Sequence, residues 1–233
     1  MSGRKILKTL LNPPARDKVY KRYNRTRQHY ILQAASKHFS MRDDDPAPLF
    51  GKKLLDVGCG DSTIGEFLAL SGAEITAVDP NGECLARAQT SAEAYGAPVT
   101  FIRSRAEDML NSLSRFDVIL ALDLLEEGGD AGKLLWVLKQ LLNPGGLIVI
   151  SAINRTPKAW LVHKFLSEYV YGRVPRGSRR YRAFFTPQQL GKLAKQQGLE
   201  LANVQGLSFD VDSQTWALTP QADTRYMAML TLR

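Results

Sequence analysis

The strongest constraint on the fold is the stretch from Gly51 to Gly60, which reads Gly-Lys-Lys-Leu-Leu-Asp-Val-Gly-Cys-Gly. Its run from Lys53 to Val57 is typical of a short strand, and the run ends at closely spaced glycines. A helical pattern follows at once, with apolar residues at Ile64, Phe67 and Leu68. A strand, a glycine turn and a helix in this order predict the unit from which open α/β sheets build nucleotide pockets.

The next strand, from Glu74 to Asp79, ends in an acid, which indicates the class of ligand. A carboxylate at that position can accept hydrogen bonds from the hydroxyls of a ribose. A dinucleotide fingerprint would need glycine at Thr63, and a phosphate loop would need Gly-Lys-Ser/Thr, so both are disfavoured. Asp-Val-Gly-Cys-Gly instead resembles motif I of the class I methyltransferases, which bind S-adenosylmethionine. The resemblance implies that Gly58 and Gly60 lie against the methionine part and that Asp79 holds the ribose. The alternative is an ordinary βαβ unit with a surface acid.

The rest of the chain alternates between strand and helix patterns. The predicted helices are 24–39, 82–95, 131–142 and 187–197, and the later strands are 99–102, 117–122, 147–151, 199–209 and 226–232. A Pro-Gly turn at 143–146 precedes the fifth strand. We expect an α/β, Rossmann-like class I methyltransferase fold, with a seven-stranded, mostly parallel sheet flanked by helices and a helical insertion after strand five. Residues 1–23 are assigned to a basic tail, 24–233 to the domain, and 154–185 to a basic aromatic lid or membrane-facing insertion.

Composition bounds the environment of the chain. The 233 residues are 44% hydrophobic and carry a net charge of +8, which suggests an anionic partner such as nucleic acid, a membrane surface or an acidic ligand. The two cysteines form neither a metal spacing nor a disulfide framework, which favours a reducing compartment. No apolar run reaches the ~18 residues of a membrane span. The basic start, residues 1–27, suits either a membrane surface or a solvated tail.

Clustered acids follow the fourth strand, in the sequence Leu122-Asp123-Leu124-Leu125-Glu126-Glu127. If a helix begins at Asp123, spacings of three and four place Glu126 and Glu127 on its side. Three such carboxylates suit Mg²⁺, which would lower the pKa of a bound catechol hydroxyl and make it a nucleophile. The alternative is a solvated acidic helix start, where acids also suit the helix dipole.

These residues together resemble one family, the ubiquinone-biosynthesis O-methyltransferases, which methylate polyprenylated catechols and related quinol precursors. The resemblance runs from about Asn24 to the end of the chain, with 41–48 as an apparent insertion. Beyond Asp79 and the 50–60 motif, it rests on Asp-Leu-Leu-Glu at 123–126, Asn-Arg-Thr-Pro-Lys-Ala-Trp-Leu at 154–161, Glu168-Tyr169, Val-Pro-Arg-Gly at 174–177 and Phe-Thr-Pro at 185–187. The last four are the most particular to the family.

The resemblance implies a set of functional residues. The expected donor-binding residues are Arg27, Asp56, Gly58, Gly60, Asp79, Glu107 and Leu122. Asp123, Glu126 and Glu127 fall on the family's metal positions, which usually read Glu-x-x-Glu-His, so they are the expected catalytic and metal residues. Glu127 replaces the histidine, and Ser-Arg-Arg-Tyr at 178–181 replaces a second family histidine. His29 and His163 are expected to be packing or surface residues.

The expected acceptor is a lipid quinol or a small-molecule phenol. Aromatic and basic residues interleave in 154–185, as suits an anionic membrane surface, so we expect a cytoplasmic enzyme at the periphery of the inner membrane. A biosynthetic complex stays open as a partner. The absence of an RNA-binding motif or a base-methylating signature argues against nucleic acid. The alternatives are another small-molecule or RNA acceptor, or a non-catalytic subunit that binds S-adenosylmethionine.

Overall fold

The computed structural model describes residues 16–39, 47–61, 64–127, 129–161, 184–210 and 212–233. The helices among them are α1 Arg16–His38, α2 Ile64–Leu70, α3 Gly82–Tyr95, α4 Ala131–Leu141 and α5 Pro187–Gln196. The strands are β1 Lys53–Val57, β2 Glu74–Val78, β3 Val99–Ile102, β4 Phe116–Leu122, β5 Leu142–Ile153, β6 Leu199–Asp210, β7 Thr215–Thr219 and β8 Arg225–Leu232. Single 3₁₀ turns span Asp108–Asn111 and Leu125–Glu127, and one helical turn spans Pro157–Ala159.

The strands form one sheet in the order β3-β2-β1-β4-β5-β8-β6-β7. The first five strands of this order are parallel, and β8, β6 and β7 are antiparallel to their neighbours. Apolar clusters cover both faces, as the nearly continuous hydrophobic runs of parallel strands require. The predicted Rossmann-like α/β class is therefore confirmed, and the carboxyl ends of β1, β2 and β4 share one edge.

The predicted count of seven strands is wrong, because the described residues form a sheet of eight. The additional strand is β7, which pairs with β6 from Gly206 opposite Thr219 to Asp210 opposite Thr215. An Asx turn closes this hairpin, since Oδ1 of Asp210 accepts hydrogen bonds from the backbone N–H groups of Asp212 and Ser213. β7 thus extends the antiparallel end of the sheet.

Helix α1 begins at Arg16, eight residues before the predicted start and within the segment assigned to a tail. Tyr23, on its inner face, is buried. Arg22 donates a hydrogen bond of 2.8 Å to the carbonyl of Gln214 in the hairpin turn, so α1 is tied to the additional strand. His29 lies exposed on this helix, as expected of a surface residue.

Strand β5 is longer than the predicted 147–151. It starts at Leu142 and includes the predicted Pro-Gly turn, which the sheet accommodates as a shift in register between Phe116 and Val118 of β4. Gly145 provides a positive φ of 76° within this irregularity. After β5, residues 162–183 of the predicted insertion lie outside the described residues. Helix α5 begins as predicted: Thr186 and Gln189 form a capping box, and Pro187 is the first residue of the helix.

In the parts of the chain that the structure describes, no helix combines the length and apolar character needed to cross a membrane.

Candidate active site

The glycine turn after β1 has the backbone conformation that its sequence predicts. Gly58 and Gly60 have φ values of 64° and 57°, which side chains disfavour. The backbone N–H of Gly58 donates a 2.8 Å hydrogen bond to the carbonyl of Val78, which ties the turn to the end of β2. A β-carbon on Gly60 would meet nothing within 4 Å, whereas one on Gly58 would overlap the side chain of Leu124. The turn therefore has open space on one side and a close neighbour on the other.

Asp79 connects the glycine turn after β1 to the turn after β2 by hydrogen bonds. Its Oδ2 accepts a hydrogen bond of 2.9 Å from the backbone N–H of Gly60, and its Oδ1 accepts one of 2.7 Å from Asn81. Asn81 in turn caps α3 through its side-chain oxygen. The carboxylate thus sits at the carboxyl edge of the sheet in a fixed orientation, with lone pairs left over for a ligand.

The other predicted donor-site residues line the same edge. Asp56 is buried in β1, and burial raises the pKa of its carboxyl to about 7 while Arg27 lowers it and Asp79 raises it. Glu107 follows β3 and lies 3.4 Å from Nζ of Lys133 in a surface ion pair. Leu122 is the last residue of β4 and is half-buried.

Arg27 reaches this edge from α1. The guanidinium is 3% exposed, donates to Oδ2 of Asp123 at 3.0 Å and to Oδ1 of Asn24 at 2.5 Å, and stacks 4.3 Å from the centre of the Tyr23 ring. Its buried Nε has no hydrogen-bond partner among the described residues. The structure therefore brings Arg27 to the predicted acidic turn and leaves one of its donors unused.

Asp123 is the most heavily bonded of the predicted catalytic residues. It has a left-handed φ of 59°, and its backbone N–H donates to both oxygens of Ser151 at 3.0 and 3.1 Å. Its Oδ1 accepts hydrogen bonds of 3.0 Å from Ser151 Oγ and 2.8 Å from Arg225, while Oδ2 is paired with Arg27. Two guanidinium groups thus hold this single carboxylate.

Two residues that contact Asp123, Arg225 and Tyr23, are not predicted from the sequence. Arg225, 11% exposed in its side chain, also donates to the Tyr23 hydroxyl at 2.8 Å, across 202 positions of sequence. No local pattern marks an arginine at the start of a strand as the partner of an aspartate about a hundred residues earlier. Their basic and aromatic character is the only signal that the sequence carries.

Glu126 lies behind Asp123 in the 3₁₀ turn. It is 7% exposed, and its Oε1 accepts a hydrogen bond from the backbone N–H of Ile153. Its Oε2 has no hydrogen-bond partner among the described residues. Burial, with the charge of Asp123, raises the pKa of Glu126 to about 7, although Arg225 opposes the shift. The side chain of Glu127 lies outside the described residues.

The described carboxylates do not suit the predicted magnesium site. A hard cation needs several free oxygen ligands, yet each oxygen of Asp123 is paired with a guanidinium and one oxygen of Glu126 is bound to backbone. Over the described part of the chain, no three His, Cys, Asp or Glu side chains gather in a group that could hold a metal.

A concave region lies at the opposite edge of the sheet, where the parallel strands begin. It has a volume of about 1350 Å³ and is lined by Lys53, Glu74 and Asp117, at or near the amino ends of their strands. Ligands of open α/β sheets bind at the carboxyl ends, so we do not assign the active site there.

Known proteins identify the family. A family model described as a methyltransferase domain matches residues 23–204. The ubiquinone biosynthesis O-methyltransferase of Rhizobium etli (strain CIAT 652) is 31% identical over 218 residues, which cover 94% of this chain and 88% of the relative. That of Pseudomonas syringae pv. tomato is 35% identical over 185 residues, covering 79% of this chain and 80% of the relative. The chain belongs to the ubiquinone-biosynthesis O-methyltransferase family. Its predicted class, an S-adenosylmethionine-dependent O-methyltransferase, is thereby confirmed.

Solved structures of other methyltransferases share the fold of this family member. The magnesium protoporphyrin IX methyltransferase of Synechocystis PCC 6803, solved with bound SAH, has a TM-score of 0.64 at 17% identity, covering 99% of this chain and 94% of that one. The plantazolicin methyltransferase has a TM-score of 0.63 at 16% identity, covering 99% and 95%. At these identities the likeness supports the architecture and leaves the acceptor to be argued from the site.

Proposed function

We propose that the chain transfers the methyl group of S-adenosylmethionine to a phenolic oxygen of a polyprenyl catechol or quinol in ubiquinone biosynthesis. The observation that carries the proposal is the meeting of the glycine turn and the acidic turn at one edge of the sheet. Val57 pairs with Ala121 in the register of β1 and β4, so the residues that follow both strands are neighbours. The acceptor class comes from the names of the relatives.

The donor side of the site fits S-adenosylmethionine. We assign the methionine part to the turn of Gly58 and Gly60, where a β-carbon on Gly60 would enter open space. Asp79, held by Gly60 and Asn81, is assigned to the ribose hydroxyls. The buried, unpartnered Nε of Arg27 supplies a hydrogen-bond donor. We also assign Asp56, Glu107 and Leu122 to this side, from their places at the same edge.

When bound, S-adenosylmethionine supplies an electrophilic methyl group on a sulfonium centre. The protein then has to orient the phenolic oxygen and accept its proton. Glu126 suits the second task, because its pKa of about 7 matches a general base and its Oε2 is unpartnered among the described residues. Asp123 suits the first, because its two guanidinium partners hold the carboxylate in a fixed orientation. Glu127 keeps its sequence-based assignment as a catalytic residue.

The acceptor's lipid tail implies work at a membrane surface, and we propose peripheral association with the cytoplasmic face of the inner membrane. Trp160 and Leu161, at the start of the predicted insertion, are 39% and 47% exposed, which suits insertion among headgroups. The net charge of +8 favours an anionic surface.

The test is transfer of labelled methyl from S-adenosylmethionine to a short-chain prenyl catechol in anionic liposomes, in neutral liposomes and in detergent. We expect an O-methylated product, formed fastest on anionic liposomes, and less product with Asp79→Asn when S-adenosylmethionine is not saturating. Catechol without a prenyl chain serves as the matched acceptor. Donor binding without product on any phenol would contradict the proposal and favour a non-catalytic role.

A further inference from the structure

A group of four side chains encloses the carboxylate of Asp123, and we call it the Asp123 clamp. It consists of Tyr23 and Arg27 from α1, Ser151 from β5 and Arg225 from β8. Three of them are at least nine-tenths buried, and Arg225 is 11% exposed in its side chain. The clamp joins three elements that are far apart in sequence at the end of β4.

The clamp supplies positive charge where the family's motif would supply a metal. Arg27 and Arg225 place guanidinium nitrogens 3.0 and 2.8 Å from the two oxygens of Asp123. A divalent cation bound to the same oxygens would stand within a few ångströms of both guanidinium groups, and like charges at such range repel strongly in a site of low dielectric constant. The two guanidinium groups therefore disfavour a divalent cation at these oxygens.

The clamp also determines the backbone beyond Asp123. A left-handed, non-glycine residue persists only where its surroundings over-determine it, and here the N–H of Asp123 is fixed by Ser151 while its carboxylate is fixed by the arginines. This conformation directs the next residue, Leu124, onto Gly58 of the donor turn. The arginines are thus connected to the donor turn through two residues.

We propose that Arg225 is a positioning residue for methyl transfer and that, together with Arg27, it replaces a divalent cation at Asp123, so that the reaction needs no metal. The turnover readout of this inference rests on the proposed function. Donor affinity and metal binding do not.

The first experiment compares Arg225→Gln and Arg225→Lys with Arg87→Gln as the matched control. Arg87 is exposed, and its partners are Asp61, in a surface ion pair, and Sγ of Cys84. Calorimetry measures affinity for S-adenosylmethionine, and steady-state kinetics separates kcat from KM. We expect Arg225→Gln to weaken donor binding or lower kcat by ~10-fold or more, the size expected when one partner of a buried charge pair is lost. Arg225→Lys should restore most of the loss, because it keeps the charge, and Arg87→Gln should match the wild type.

Tyr23→Phe provides a second variant in case Arg225→Gln unfolds. It removes only the hydroxyl that accepts from Arg225, and it leaves the ring that Arg27 stacks on. We expect a smaller loss of the same kind. Unchanged donor affinity and kcat in folded Arg225→Gln and in Tyr23→Phe would overturn the positioning role.

The second experiment titrates the protein with Mn²⁺, a spectroscopic probe for hard divalent cations, with Asp123→Asn as the comparison. We expect no stoichiometric binding that depends on Asp123, and equal donor affinity in chelator and in millimolar Mg²⁺. Stoichiometric Mn²⁺ binding that Asp123→Asn abolishes would overturn the replacement of the metal. If no phenol is methylated, the proposed function fails, while donor affinity and Mn²⁺ binding still decide this inference.

Discussion

The side chain of Leu124 occupies the space that a β-carbon on Gly58 would need. This contact joins the turn after β4 to the turn after β1, and it gives Gly58 two reasons to be glycine: a φ of 64° and a neighbour in van der Waals contact. The packing of the two turns therefore holds the predicted donor-binding and catalytic residues next to each other.

Gly58→Ala tests this packing, with Gly51→Ala as the control. Gly51 has a similar φ of 68°, but a β-carbon there would meet nothing within 4 Å. We expect Gly51→Ala to lower the free energy of unfolding by about 1 kcal/mol, from backbone strain alone. Gly58→Ala should cost about 1–3 kcal/mol more, because Leu124 must move. Urea unfolding measures both, and equal losses would contradict the contact.

Asp79→Asn tests the fastening of the donor turn. The amide retains one acceptor oxygen but turns an NH₂ group toward the backbone N–H of Gly60 or Asn81, both of which Asp79 binds. We expect affinity for S-adenosylmethionine to fall by about tenfold or more, the scale of losing a charge-assisted hydrogen bond. Asp61→Asn, an exposed neighbour paired with Arg87, should bind the donor as the wild type does. Equal affinities in the two variants would refute the role of Asp79.

The burial of Asp56 leads us to expect that the free energy of unfolding depends on pH. Burial raises its pKa to about 7 in the folded protein, against about 4 in the unfolded chain, so the folded state holds the extra proton between these values. This carboxyl therefore makes stability fall as pH rises from ~4 to ~7, with no further change above.

Asp56→Asn removes that loss. The difference in unfolding free energy between the variant and the wild type should shift in favour of the variant by a few kcal/mol from pH ~4 to pH ~8. Urea unfolding of the ligand-free protein across this range measures it. A difference independent of pH would show that the carboxyl does not titrate in this window.

The aromatic contacts of Trp216, on β7, lead us to expect that this additional strand stabilises the domain. Its ring lies 4.7 Å from that of Tyr23 on α1 and 5.2 Å from that of Phe209 on β6. We expect Trp216→Ala to lower the unfolding free energy by about 2–4 kcal/mol, through lost aromatic packing. Trp136→Ala, at a position that is 46% exposed on α4, is the matched control and should cost less than half as much. Equal effects would mean that the hairpin adds little.

Local sequence patterns were sufficient to predict most of the fold. The glycine turn, the end of β2 at Val78 before Asp79, and the caps at Gly96 and Thr186 each carry a short-range signal that predicts the element correctly. Hydrophobic period and turn chemistry act over a few residues, so one sequence reveals them.

The features that the sequence did not predict depend on contacts between distant residues or on weak local signals. β7 is five residues, Thr-Trp-Ala-Leu-Thr, with little alternation, and its pairing with β6 rather than its composition makes it a strand. The first turns of α1 are so basic that they resemble a solvated tail. The pairing of Asp123 with Arg225 spans 102 positions, and only the fold brings them together.

Single-turnover transfer tests the central claim most directly. Enzyme preloaded with labelled S-adenosylmethionine is mixed with a short-chain prenyl catechol in the presence of chelator, and the product is identified by mass spectrometry. The account predicts one methyl group on a catechol oxygen, formed at the same rate in chelator and in Mg²⁺. Product that forms only when Mg²⁺ is present would contradict the Asp123 clamp, and loaded enzyme that yields no product under either condition would contradict the catechol acceptor.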